Sequence, residues 1–179
     1  MTGTWLLLIY TVPSAPSRKR ASIWRELKKV GALYLRDGVC ALPHRDTTTA
    51  ALRAIAGRVD AFGGEATLVE GARLDPARAE ALVARSRAER AGEYAEVGRE
   101  AERFLAHVRR ERAHREFTIA ELGQLEADLG KLRRWLGQVR ARDHFGADDL
   151  GRAEELLRRC DAALASCRAT PAGQPGGPR

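Results

Sequence analysis

The chain has 179 residues, 44% hydrophobic and 31% charged, which suits one large or two small folded domains and excludes fibrous, collagen-like and wholly disordered chains. Lys and Arg number 31 against 24 Asp and Glu, a formal net charge of +7 that permits a polyanionic partner without requiring one. Three Cys exclude a disulfide framework, and the abundance of Arg, Ala and Gly beside only four Lys also fits plain genome composition.

The one early apolar run, Trp5 to Val12, is ended by Pro13. It falls far short of the roughly 20 residues that span a bilayer. No side-chain charge precedes it, as a signal peptide requires, and Arg18-Lys19-Arg20 comes after it. The expectation is a cytoplasmic protein with reduced thiols and no membrane partner.

Trp5–Val12 has the length and β-prone composition of a buried central strand. Pro13 to Ser17 reads as a turn and helix start, with Ser17 at the N-cap. Ile23, Trp24, Leu27 and Val30 then recur at helical spacing as one face, and Gly31 closes the helix. Ala32 to Pro43 splits into two short strands around Arg36-Asp37-Gly38, a hairpin signal. Asp46 or Thr47 caps a second helix carrying Leu52, Ile55 and Val59, ended by Gly63-Gly64, and Glu65–Leu74 reads as a last strand. The order β-α-β(β)-α-β predicts an α+β ferredoxin-like sandwich over residues 1–74.

From Asp75-Pro76, an N-cap followed by Pro at the first helical position, every pattern is helical. Tyr94, Val97, Ala101, Phe104 and Val108 carry one long helix to about Phe117. Thr118-Ile-Ala-Glu121 is a capping box, and Ile119, Leu122, Leu125, Leu129, Leu132, Leu136 and Val139 follow it as a near-heptad seam. A last helix carries Leu150, Ala153, Leu157, Cys160 and Leu164. Residues 75–168 are expected to form a helical hairpin or bundle, and 169–179, rich in Pro and Gly, a disordered tail.

The densest like-charge segment is Arg18, Lys19, Arg20, Arg25, Lys28 and Lys29, with Glu26 its one acidic residue. Positions 18, 25 and 29 share a helix face opposite Ile23, Leu27 and Val30. Such a face suits phosphate contact, and it also suits plain solvation. The Arg-rich pieces Arg109–Arg115 and Arg133, Arg134, Arg140 and Arg142 lie among acidic residues that pair with them at i,i+4 spacing. Turned inward, Arg133, Arg134, Arg140 and Arg142 would instead suit a small oxyanion. His107, Glu111 and His114 share one side of a helix, but the sequence supplies no second ligand motif, so no metal and no other cofactor is expected. Walker, dinucleotide-binding and nucleophile-elbow motifs are missing, as is any redox Cys pair, so no enzyme is expected. Cys40, Cys160 and Cys167 read as small apolar fillers.

Trp5-Leu-Leu-Leu-Ile-Tyr-Thr-Val-Pro13, the basic helix, and Gly31 to Pro43 resemble the N-terminal region of ChrB, the chromate resistance regulator. The resemblance continues through Glu65–Arg73, Phe117–Leu122, Asp128–Leu136 and Arg140–Gly146. It implies a DNA-binding transcriptional regulator of a chromate-resistance system, with the basic helix as contact and chromate or another oxyanion as effector. Longer members of the family carry a further C-terminal domain where this sequence has its Pro/Gly tail, a departure that bears on the effector response. The first half also looks like the ferredoxin-like fold of the Cas2 nucleases and of the PaaX repressor's C-terminal region. Cas2 nucleases hold a metal with an Asp at the end of the first strand, where this chain reads Tyr10-Thr11-Val12, which argues against nuclease chemistry. The alternative is a non-enzymatic adaptor that forms a homodimer through the ferredoxin-like half.

Overall fold

The computed structural model describes residues 3–114 and 117–169. Of the tail expected over residues 169–179, Ala169 is instead the last residue of a helix, and 170–179 lie outside the described residues. The elements run β1 (Trp5–Thr11), α1 (Ser17–Lys29), β2 (Leu33–Arg36), β3 (Val39–Pro43), α2 (Asp46–Ala61), β4 (Glu65–Ala72), α3 (Pro76–His114), α4 (Ile119–Ala141) and α5 (Leu150–Ala169). The four strands form one antiparallel sheet in the order β2-β3-β1-β4, the ferredoxin-like arrangement. The fold class is α+β, as expected.

The described chain divides into two compact units. One runs from the N-terminus through Ala88 and takes in Ala141–Gly146; the other comprises Glu89–Arg140 and the residues from Ala147 onward. The sequence expectation ends the first domain at residue 74, where the strands stop, whereas this division falls within α3.

In the first unit β1 is central, which explains its unbroken apolar run. Leu6 and Leu8, with Cys40 and Leu42 of β3, face α1 and α2 and pack against Ile23, Leu27, Leu52, Ile55 and Val59. Alternation sends Trp5, Leu7, Leu33 and Ala41 to the other face, where Ala79 and Leu82 of α3 and the ring of Phe145 cover them. Trp5 and Phe145 rings lie 5.7 Å apart. That outer cover is the physical reason the first turns of α3 belong with the sheet. It stops short of Ile9 and Val69, which are exposed.

Local signals hold. Asp37-Gly38 turns β2 into β3 with Gly38 at φ 70°, and a Cβ there would lie 2.6 Å from the Tyr10 carbonyl. Gly31 takes φ 77° just past α1, and Gly63 takes 79° past α2. Asp75 caps α3 by accepting the Arg78 N–H at 3.2 Å. Two caps shift by a residue. Ser17 is the first helical residue of α1, with Pro16 at its N-cap and no side chain capping the turn. At α2 the N-cap is Arg45, whose N–H donates to Thr48 Oγ1 at 3.1 Å.

Residues 143–146 are pinned to the first unit from three directions. Arg45 donates to the His144 carbonyl at 2.8 Å, Arg87 Nε to the Phe145 carbonyl at 3.0 Å, and His144 Nε2 to the Val30 carbonyl at 2.8 Å. Gly31 lies against this segment, and a Cβ on it would meet the Arg142 carbonyl at 2.7 Å.

In the second unit Tyr94, Val97, Ala101, Phe104 and Val108 of α3 are buried as expected, packed with Leu125, Leu129 and Val139 of α4 and Ala153, Leu157, Cys160 and Leu164 of α5. Thr118 and Glu121 form the capping box, with the Thr118 N–H donating to Glu121 Oε2 at 3.0 Å and the Glu121 N–H to Thr118 Oγ1 at 3.3 Å. Ile119 departs from the expected seam: it is 91% exposed, because the first residue of α4 lies ahead of the point where the seam meets α3 and α5. The three Cys are free and buried, so the filler reading holds.

Candidate nucleic-acid interface

Helix α1 forms because Ile23 and Leu27, fully buried, give it one narrow stripe against the sheet. Everything else on its circumference is turned toward solvent or the rim. Arg18, Arg20, Arg25, Lys28 and Lys29 are all exposed. Among the described residues no carboxylate pairs with any of the five. The single acid of the helix, Glu26, lies on the other side and takes Arg58 of α2 at 3.0 Å. Lys19 differs from its neighbours: it donates to the Phe62 carbonyl at 2.9 Å and sits 5.6 Å from that ring's centre, so it closes α1 onto the end of α2.

The placement of these charges opposes helix energetics. Lys28 and Lys29 suit the C-terminal turn, but Arg18, Lys19 and Arg20 crowd an N-terminal turn that has no acidic residue. Cations there face the positive end of the macrodipole, at a cost of a few tenths of a kcal/mol or more each. Folding alone does not favour that pattern. An anion at this turn reverses the sign, because free N–H groups and the Arg side chains then act together.

Sequence periodicity puts Trp24 on the buried face, and the structure does not. Trp24 is 52% exposed. It lies one turn from Arg20 and one turn from Lys28, and Lys28 Nζ stands 5.9 Å from its ring centre and 6.0 Å from that of Tyr34. The i,i+1 neighbour Ile23 fills the core, and the two residues are about 100° apart on the helix. The signal that finds Trp24 is its i±4 bracket of cations. Tyr34, behind Lys28, has its hydroxyl buried beside that of Tyr10, and burial raises both phenols above their ordinary value.

The other expected site residues do not converge. Arg133, Arg134 and Arg140 are exposed; Arg133 pairs with Asp161, and Arg140 with Glu154 at 3.3 Å. Arg142 belongs to the other compact unit. Of the His107, Glu111 and His114 set, His107 is exposed and the His114 side chain lies outside the described residues. Among the described residues no three His, Cys, Asp or Glu side chains gather as metal ligands, and no helix is long and apolar enough to cross a membrane. Each unit has an open groove. One of about 700 Å³ is lined by His44, Arg45, Glu80 and Arg87. The other, of about 450 Å³, lies between α3 and α4 beside His107, Asp128 and Trp135.

A ferredoxin-like sheet bearing a basic helix, joined in sequence to a helical unit, defines a class of α+β proteins. Within that class the chain belongs to the family described as Protein ChrB, N-terminal, whose model matches residues 20–169. It is also 40% identical over 52 residues to Protein ChrB of Cupriavidus metallidurans, an alignment covering 29% of this chain and 16% of that protein. No solved structure matches the chain.

Proposed function

We propose that the chain is a DNA-binding, non-enzymatic regulator of chromate resistance whose contact surface is α1. One observation carries the reading: five exposed cations on a single helix with no carboxylate partner among the described residues. In this reading Arg18, Arg20, Arg25, Lys28 and Lys29 neutralise phosphates, and Lys19 holds the helix in place through Phe62. Each neutralised phosphate releases a counterion, so the log of affinity falls linearly with log salt, by about 0.9 per contact.

The test is binding of the full chain to the duplex upstream of its own gene, titrated against salt. Arg25→Ala with Lys29→Ala should flatten the log–log slope by about two units and weaken binding to all sequences alike. Both positions lie off the Ile23–Leu27 stripe, so the fold should survive, as circular dichroism would show. A folded double variant with the parent slope and affinity overturns the reading. Cleavage of DNA with Mg²⁺ or Mn²⁺ that a point change in this chain abolishes would overturn the non-enzymatic part. The competing adaptor reading has exposed Ile9 and Val69 on the sheet as its observation. A dimer lost on Ile9→Lys, with DNA binding absent from the parent, would favour it.

A further inference from the structure

We infer that Trp24 is a stacking wedge: on DNA held by α1, its indole packs against a base at a step that unstacks readily. The inference rests on the nucleic-acid reading above and adds to it a non-electrostatic, sequence-sensitive contact.

Three observations meet at this residue. A Trp on a helix whose core stripe is complete without it is left half outside, at 52% exposure. Large aromatics in such positions mark interaction surfaces, with one edge packed and the remainder available at little entropic cost. The cations bracket it. Arg20 and Lys28 lie four residues to either side, about 12 Å apart along the axis at 1.5 Å per residue. That span matches the rise of three to four nucleotides at about 3.4 Å each, so two phosphate contacts would flank the ring. Finally, Lys28 lies against both the Trp24 and Tyr34 rings, which keeps its charge beside the indole face. The single acid of α1, Glu26, is engaged by Arg58.

Charge complementarity therefore selects the occupant. The flat apolar surface between two phosphate-binding cations calls for the one apolar part of a nucleic acid, the face of a base. In a duplex that face is reached by partial unstacking, which is easiest at pyrimidine–purine steps and hardest in A-tracts. The wedge thus predicts a step preference at a position without hydrogen-bonded base readout.

The experiment uses the full chain, two 20-base-pair duplexes that differ only in a central TA step or a central A-tract, and the variants Trp24→Ala and Trp24→Phe. The parent should prefer the TA duplex. Trp24→Ala should lose about tenfold affinity for it, the scale of losing one stacked base, and should lose the step preference. Its salt slope should match the parent, because no charge has changed. Trp24→Phe should keep most of both. In contrast, Arg25→Ala with Lys29→Ala should flatten the slope and keep the step preference. If Trp24→Ala binds both duplexes within twofold of the parent at the parent slope, the wedge is wrong and the phosphate reading stands. If Trp24→Ala instead changes the sedimentation of the free protein, Trp24 serves a protein interface and the wedge is wrong. If the parent binds neither duplex, both readings fall together.

Discussion

The Arg residues of α1 and most of those of the helical unit look alike in sequence and differ in what they touch, although Arg110, Arg134 and Arg159 are also exposed with no carboxylate partner among the described residues. Around α3, α4 and α5, Arg99, Arg103, Arg133, Arg140, Arg152 and Arg158 each sit beside a carboxylate, namely Glu96, Glu100, Asp161, Glu154, Glu102 and Glu155. On α1 the exposed cations have no such partner among the described residues, and three of the six basic side chains crowd the turn where the helix dipole disfavours them. Density of Arg is therefore a poor guide to a polyanion site. Availability of the charge is a better one, and it depends on where the acids of the neighbouring elements fall.

The largest effect that would break this comparison comes from unseating α1. Gly31→Ala places a Cβ 2.7 Å from the Arg142 carbonyl at a residue with φ 77°, so steric overlap and backbone strain add. Urea unfolding should show a loss of about 3 kcal/mol, with DNA binding weakened in proportion to the unfolded fraction. A loss under about 1 kcal/mol would mean the helix end is not anchored there.

Alkaline pH probes each unit through a buried thiol. Burial pushes the Cys40 thiol of the sheet up to about 12 and the Cys160 thiol of the helices up to about 11, from an ordinary 9.0. A thiol with a raised folded pKa keeps its proton longer in the folded chain. The unfolded chain releases it first, so stability is intact below pH 9 and falls as pH rises from 9 toward those values. The fall is at most about 1.4 kcal/mol per pH unit for each thiol. Cys40→Ala should flatten that fall between pH 9 and 11 and leave the pH dependence below 9 unchanged, as measured by unfolding at fixed ionic strength. An unaltered alkaline slope would show that the thiol does not titrate in this way.

The smallest effect sharpens the comparison most. Arg103→Ala and Arg158→Ala each remove an exposed, paired cation. Each should change stability by under about 1 kcal/mol and leave the salt slope of DNA binding unaltered. A slope flattened by one unit in either variant would move the interface to the helical unit.

What the sequence discloses here is local. Asp37-Gly38, Asp75-Pro76 and Thr118 to Glu121 each specify a turn or a helix start through chemistry contained within four residues, and each is where it was expected. The unbroken apolar run of β1, packed on both faces of the sheet, and the seam in α4 are likewise legible, because a core imposes its pattern on whatever packs against it. Periodicity does not tell whether a stripe finds a neighbour along its whole length, which is why Trp24 and Ile119 read as core and are not. The role of Lys19 in holding Phe62, and of Phe145 in covering Trp5, depends on residues distant in sequence and has no local mark.

The insertion of Phe145 beside Trp5 also constrains how this chain is made. About 140 residues separate the two rings, and the sheet's outer face is not closed until that loop has been synthesised. During translation the four strands emerge long before their last cover, so Trp5 and Leu33 wait, exposed to other nascent chains. Such late, sequence-distant closure slows folding and prolongs the aggregation-prone stage. It also means that no single cut yields the sheet as an intact module: cleaving after Leu74 strips away Ala79, Leu82 and Phe145 together. A shortened version that keeps the native sheet would have to splice Ala141–Gly146 back onto the stub of α3.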